Sequence, residues 1–153
     1  MNYKFELTEQ PIQIVLSIRT RTPVGRLPEE IGKAYGAIMK YLEELGEKPV
    51  NAPFAAYYNM DMDDLDVEMG FPVSKPLPEK GEIKPSQIPA GKMVSYLYKG
   101  PYNQTEPVYT AMLQWVNENG YTATGVAYEF YYNSPLEVPE SELLTKIVFP
   151  LKD

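Results

Sequence analysis

The chain has 153 residues, a length that suits one domain with a sizeable hydrophobic core. Its 21 acidic and 14 basic residues leave a formal charge of -7, which disfavours nonspecific nucleic-acid binding because an acidic surface repels phosphate. The absence of Cys and His excludes disulfides, Cys/His zinc sites, thiol nucleophiles and Ser-His triads, so acid-base chemistry has to use carboxylate, Tyr or Lys.

The sequence contains no motif for membrane insertion or for nucleotide binding. The first ten residues, MNYKFELTEQ, contain no apolar signal-peptide core, and no stretch approaches the ~20 apolar residues that cross a bilayer. Neither a Walker loop nor a GxGxxG fingerprint occurs. We therefore expect a cytoplasmic protein that does not bind membranes and needs no cofactor.

The first half of the chain predicts one helix and three strands. Apolar residues recur at helical spacing over residues 29–45, and Gly46 follows where a glycine ends a helix. Strand-like apolar segments lie at 12–18, 53–59 and 65–73. The proline-rich segment 75–91 is typical of a connector, within which Ile83 is a candidate start for a short extra strand.

The second half repeats this pattern. Residues 105–119 predict a helix with Thr105 as its N-cap and Pro107 in its first turn, and Gly120 follows it. The predicted strands are 92–98, 125–133 and 143–151.

An internal alignment shows that the two halves are related. Residues 34–59 match residues 108–133 without a gap at an offset of 74, so that Tyr35 matches Tyr109. A four-residue insertion then brings "FPV" at 71–73 onto "FPL" at 149–151. We interpret residues 1–153 as one domain built by duplication, with repeats at about 10–74 and 92–153 and a connector at 75–91.

Each repeat is predicted to have the order β-α-β-β, which indicates the α+β class. A repeat of about 75 residues buries little surface alone. We therefore expect both repeats to share one antiparallel sheet, with the two helices packed on one face.

Several motifs together resemble the gyrase-inhibitor-like (GyrI-like) effector-binding family. They are "DVEMGFPV" at 66–73, "YKGPY" at 98–102, the helix end "AMLQWVNENGY", "YEFYYNSP" and "TKIVFPL". The resemblance spans nearly the whole chain and implies a ligand cleft between the two helices. It also implies a standalone family member, because the sequence has no helix-turn-helix for reading DNA, and hence no direct nucleic-acid binding.

Glu129, in the apolar strand "GVAYEFYYN", is the principal candidate for the site. An unpaired buried carboxylate is costly, and period-two geometry places Glu129 on the same sheet face as Ala127 and Tyr131. The resemblance implies that this carboxylate faces the cleft and meets the charge of lipophilic cations. The alternatives are a solvent-facing glutamate or one paired with Lys146.

Aromatic and methionine side chains complete the predicted ligand site, with core packing as the alternative for each. The full set is Glu129, Tyr131, Tyr57, Tyr35, Tyr109, Met39, Met112 and Trp115. In the first repeat Ala55 stands where the second has Glu129, so the duplication has kept the aromatic residue and lost the charge on one side. Glu68 is predicted to be solvated. No metal site is predicted, because the acidic segment 61–66 lacks the glycine and the closing Glu of a calcium loop.

Three functions remain open at this stage. The first is promiscuous binding of planar aromatic or cationic small molecules, as in a multidrug receptor or sequestering protein. The second, implied by the resemblance, is a hydrolase that opens the cyclopropane ring of DNA-alkylating compounds, with Glu129 activating water and Tyr109 or Tyr131 as proton donor. The third, also implied by the resemblance, is modulation of gyrase through a protein contact. Because unpaired edge strands can pair with a second copy, a homodimer is also compatible with the sequence.

Overall fold

A computed structural model describes residues 3–152. The strands are β1 (Glu6–Gln10), β2 (Gln13–Thr22), β3 (Phe54–Tyr57), β4 (Leu65–Pro72), β5 (Lys84–Ile88), β6 (Gly91–Lys99), β7 (Ala127–Tyr131) and β8 (Leu144–Pro150), and the helices are α1 (Leu27–Leu45) and α2 (Glu106–Glu118). The predicted α+β class is confirmed. Within the described residues, neither helix is long and apolar enough to span a membrane.

The chain forms two compact units, which we name after their helices. The α1 unit is Pro11–Ala90, with strand order β3-β4-β2-β5. The α2 unit combines the residues up to Gln10 with those from Gly91 onward, and its strand order is β1-β6-β8-β7. All strand pairs within each unit are antiparallel.

Each unit has one strand beyond the three predicted for its repeat, and β5 begins at the residue after Ile83, the candidate start of a short extra strand. Strand β1 precedes β2 in the chain but pairs with β6, and β5 precedes β6 but pairs with β2. Each unit therefore takes its edge strand from the chain segment that leads into the other unit. These strands are short and polar, and β5 contains Pro85, so they lack the apolar alternation that reveals a strand in sequence.

Helix α1 ends as its sequence predicts. Gly46 adopts a φ of 68°, and its N–H bonds the Glu43 carbonyl at 3.1 Å, while the N–H of Glu47 bonds the Leu42 carbonyl at 2.9 Å. Helix α2 begins at the predicted position but without the side-chain cap. Thr105 is at the N-cap position, but its hydroxyl donates to the carbonyl of Tyr102 at 3.3 Å instead of capping the helix.

Each helix covers one face of its own sheet with apolar side chains. In the α1 unit the buried cluster joins helix residues to strand residues: Ile38, Tyr41 and Leu42 with Leu16 and Phe71. In the α2 unit the corresponding members are Val108, Met112 and Val116 with Val94, Ile147 and Phe149. Because burying one large apolar side chain contributes about 1.5–3 kcal/mol, these clusters hold each helix on its sheet.

Candidate functional site

Glu129 projects from β7 toward helix α2. Its neighbour two residues earlier, Ala127, belongs to the buried cluster that contains α2, and alternate strand residues share a face. In the register of β7 with β8, Glu129 lies opposite Ile147, another member of that cluster. Lys146 lies opposite Phe130, on the other face, so the alternative that pairs Glu129 with Lys146 is wrong.

Two tyrosine hydroxyls bind the two carboxylate oxygens of Glu129. Tyr109, from the second turn of α2, donates to Oε2. Tyr131, two residues along β7 on the same face, donates to Oε1 at 2.9 Å. The structure thus brings together the three residues for which the sequence suggested catalysis, and it does so within the α2 unit alone.

Burial dominates the electrostatics of Glu129. Desolvation raises the pKa of its carboxyl group, and the hydrogen bonds from Tyr109 and Tyr131 lower it in part. The residue is of intermediate exposure, so protein covers the side chain without closing it off from solvent. Among the residues that the structure describes, no Lys or Arg forms an ion pair with Glu129. The carboxylate is therefore poorly hydrated, and its neighbours there are phenols.

Two further aromatic rings, absent from the predicted set, adjoin this group. The ring of Tyr102 lies 5.6 Å from that of Tyr131 at an interplanar angle of 73°. The ring of Phe149 lies 5.4 Å from that of Tyr109. Burial raises the pKa of Tyr102, and the negative charge of Glu129 raises it further. The sequence did contain signals for both rings, since Tyr102 ends the motif "YKGPY" and Phe149 is the repeat partner of Phe71.

A braced turn positions Tyr102. The hydroxyl of Tyr98 donates to the Pro101 carbonyl at 2.7 Å, and the N–H of Gly100 donates to the Leu143 carbonyl at 2.9 Å. Gly100 has a φ of 144°, a conformation that side-chain-bearing residues rarely adopt. These contacts hold the turn before α2 against the start of β8, and so they fix where the Tyr102 side chain leaves the backbone.

The other predicted ligand residues of the α2 unit take part in packing. Met112, on the sheet-facing side of α2, is fully buried. Trp115 is half-buried and stacks on Tyr121 with ring centroids 5.9 Å apart and planes within 9°. Phe5 approaches Trp115 edge-on at 6.4 Å. These contacts tie the segment before β1 to the end of α2, and a ligand role for Met112 and Trp115 stays a prediction.

The α1 unit contains the repeat counterparts without the charge. Tyr35 faces Phe71 at 5.2 Å between ring centroids, but its hydroxyl donates to the backbone carbonyl of Phe54 at 2.7 Å. Ala55, in the position of Glu129, is completely buried. Tyr57 is half-buried and Met39 is exposed. Their ligand roles also stay predictions.

The α1 unit has a buried glutamate of its own, at a different place. Glu68 on β4 is only 6% exposed, so the prediction that it is solvated is wrong. It accepts hydrogen bonds from Ser17 and Tyr58, each at 2.5 Å. The guanidinium of Arg19 lies 3.8 Å above the Tyr58 ring and binds Asp66 through two hydrogen bonds. Two hydroxyl donors, one on β2 and one directly after β3, make this burial possible.

Comparison with protein families gives one match that covers almost the whole chain. The model of the GyrI-like small molecule binding domain matches residues 3–152. No curated protein sequence matches the chain closely enough to count as a relative.

Among solved structures, the C-terminal domain of EcmrR is 26% identical, with a TM-score of 0.79, over 100% of this chain and 99% of that domain. EcmrR in a complex with DNA gives 26% identity and a TM-score of 0.85 over 99% of this chain, which spans only 58% of the EcmrR chain.

Two more distant structures share the fold alone. A hydrolase from Listeria innocua is 14% identical, with a TM-score of 0.73, over 98% of this chain and 92% of that one. SAV2435, solved bound to tetraphenylphosphonium, is 8% identical, with a TM-score of 0.62, over 97% of this chain and 94% of that one.

Proposed function

This chain belongs to the GyrI-like family of small-molecule-binding domains, and on that premise we propose that it binds lipophilic aromatic cations at Glu129. One observation carries the proposal. The Glu129 carboxylate is desolvated, accepts hydrogen bonds from two tyrosines and has no ion-pair partner within residues 3–152. Ionisation of such a group becomes more favourable when a ligand brings the missing positive charge.

The surrounding rings suit an organic cation better than a hydrated metal ion. A cation placed over an aromatic face gains roughly 0.5 to 2 kcal/mol, and Tyr102, Tyr109 and Tyr131 supply rings around a single carboxylate. Ring faces and one charge impose few directional demands on a ligand. This supports a promiscuous, multidrug-type receptor or sequestering protein.

The decisive experiment titrates a planar cationic dye, rhodamine 6G, with protein and follows fluorescence anisotropy. We expect Glu129→Gln to weaken binding by about 10- to 100-fold, which corresponds to about 1.4–2.8 kcal/mol for loss of a buried charge partner. Glu68→Gln is the matched control, because Glu68 is also a buried strand glutamate that accepts bonds from two hydroxyls. Equal affinity of wild type and Glu129→Gln would refute the proposal.

Binding of the cation is also expected to depend on pH. Because the pKa of Glu129 is raised, part of the population is protonated above the ordinary pKa of a glutamate. Affinity should therefore increase as the pH rises from the ordinary value through the raised one, and then level off. Each cation bound within that window should release protons, which calorimetry in buffers of different ionisation enthalpy measures.

The hydrolase alternative is favoured by the same raised pKa, since a desolvated carboxylate beside a phenol can act as a general base. Glu129 would take a proton from water, and the water oxygen would attack a cyclopropane carbon. The breaking ring bond would pass its electrons to a conjugated carbonyl, whose oxygen Tyr109 would protonate. Mass spectrometry of a cyclopropane-bearing alkylator incubated in ¹⁸O-labelled water tests this. Tyr109→Phe should slow ring opening more than it weakens binding, and an unchanged rate would remove Tyr109 from the mechanism.

A further inference from the structure

Thr145 on β8 carries a polar atom that the fold leaves without a partner. The residue is completely buried, and its Oγ1 forms no hydrogen bond with any residue of the described chain. A buried hydroxyl without a partner costs folding free energy, and most buried polar groups in proteins are paired. Valine has nearly the same shape and would avoid this cost. The hydroxyl therefore needs an explanation outside the packing of the fold.

The position of Thr145 connects it to the Glu129 site. It lies directly opposite Tyr131 on β7 and directly opposite Tyr98 on β6. Ile147, two residues along β8, belongs to the cluster that packs against α2, so Thr145 shares the sheet face of Glu129. Neighbouring strand residues on one face have Cβ atoms about 4.5–5.5 Å apart when directly opposite, and diagonal neighbours such as Glu129 and Thr145 are about 7–8 Å apart.

We propose that the Thr145 hydroxyl is a second polar contact of the Glu129 site, which binds a hydroxyl or carbonyl oxygen carried by an aromatic cation. This inference rests on the proposed function. It narrows the ligand class to cations that have an oxygen substituent several ångströms from the charge, because Glu129 and Thr145 are diagonal neighbours on the sheet.

Access to Thr145 depends on Tyr131. Of the two neighbours across the strands, Tyr98 is buried and held by its hydrogen bond to the Pro101 carbonyl. Tyr131 is half-buried, and its hydroxyl occupies Oε1 of Glu129. A cation that binds this oxygen competes with the Tyr131 hydroxyl. Displacement of the Tyr131 side chain then uncovers Thr145 for the oxygen substituent.

Two probes that differ by one hydroxyl test this contact, namely phenyltrimethylammonium and (3-hydroxyphenyl)trimethylammonium. Competition with rhodamine 6G gives the ratio of their dissociation constants for wild type, Thr145→Val and Thr145→Ser. We expect wild type to favour the hydroxylated probe by about tenfold, the size of one net hydrogen bond. Thr145→Val should reduce the preference to less than about twofold, and Thr145→Ser should keep it.

The outcomes separate the two proposals. An equal preference in wild type and Thr145→Val, with Glu129→Gln still weakening both probes, overturns the role of Thr145 alone. Absence of binding by either probe, or binding indifferent to Glu129→Gln, overturns the cation site and the role of Thr145 with it. If Thr145→Val does not fold, Thr145→Ala removes the same hydroxyl. If Thr145→Val melts at a higher temperature than wild type and keeps the same probe preference, the hydroxyl does not contact the ligand, and the proposal is contradicted.

Discussion

The two units share a scaffold and differ in charge at one pair of equivalent positions, Ala55 and Glu129. In each unit a helix tyrosine packs against a phenylalanine, which lies on β4 in the α1 unit and on β8 in the α2 unit. The ring centroids are 5.2 Å apart for Tyr35 and Phe71 and 5.4 Å apart for Tyr109 and Phe149. The tyrosine hydroxyl binds a backbone carbonyl in the α1 unit and the Glu129 carboxylate in the α2 unit.

This difference shows that two copies of a duplicated fold can differ by one charged side chain while they keep the same aromatic packing. The ring pair provides apolar packing in both units, and the hydroxyl binds whatever acceptor lies within reach. Where the strand has Ala55, that acceptor is the backbone, and the position is completely buried. Where it has Glu129, the acceptor is a desolvated carboxylate. Burial of this charged group costs folding free energy that the buried alanine of the α1 unit does not cost.

The strongest test of the comparison places the charge in the other unit. Ala55→Glu should destabilise the protein by about 3–5 kcal/mol, because the new carboxylate would be fully buried and Tyr35 already donates to Phe54. Urea denaturation followed by circular dichroism measures the loss. The control is Ala55→Gln, which adds a side chain of nearly the same size at the same buried position without the charge. A stability of Ala55→Glu close to that of wild type would mean that the α1 unit can host a carboxylate after all.

A smaller effect should distinguish the two helix tyrosines. Tyr35→Phe removes a neutral hydrogen bond and should cost about 1 kcal/mol at any pH, whereas Tyr109→Phe removes a bond to a charged group, worth about 1.5–3 kcal/mol. The Tyr109 effect should shrink in acid, where Glu129 is protonated. Paired unfolding curves at pH 5 and pH 8 measure both variants. If the loss of stability in Tyr35→Phe and in Tyr109→Phe depends on pH in the same way, the two hydroxyls do not bind different kinds of acceptor.

The smallest effect concerns the pH dependence of Glu129 itself. Its folded pKa is raised, so the folded state holds more protons than the unfolded state between the ordinary and the raised value. The stability that Glu129 contributes is therefore fully present below the ordinary glutamate pKa and is lost as the pH rises through the raised one. The loss is about 1.4 kcal/mol for each tenfold difference between the acid dissociation constants of the folded and unfolded states. Glu129→Gln should abolish this loss and unfold at a higher temperature than wild type at pH 8. If the stability of Glu129→Gln depends on pH as steeply as that of wild type, another group is responsible for the titration.

Several expectations from the sequence have no test in the fold. They are a cytoplasmic location, a homodimer through edge strands, the absence of direct nucleic-acid binding and the boundaries of the single duplicated domain. EcmrR was solved in a DNA complex, and this chain matches its C-terminal domain over 99% of that domain. Binding of DNA by this chain is therefore best examined directly.

Local sequence patterns were sufficient to predict the helices, six of the eight strands, a candidate extra strand starting at Ile83, and the candidacy of Glu129. These follow from local rules, since apolar periodicity, a helix-ending glycine and a carboxylate in an apolar strand are visible without distant contacts. The repeat alignment also predicted that Tyr109 and Tyr131 have counterparts without a charge beside them.

The partners of the edge strands and of the buried polar side chains depend on the three-dimensional fold. Strands β1 and β5 are polar edge strands, so their pairing depends on which neighbour presents free backbone groups. The burial of Glu68 depends on Ser17, 51 residues away in the chain, and the unsatisfied hydroxyl of Thr145 depends on what surrounds it on three strands. A hydrogen bond requires two groups at one point in space, and sequence spacing fixes that point only within a single helix or strand.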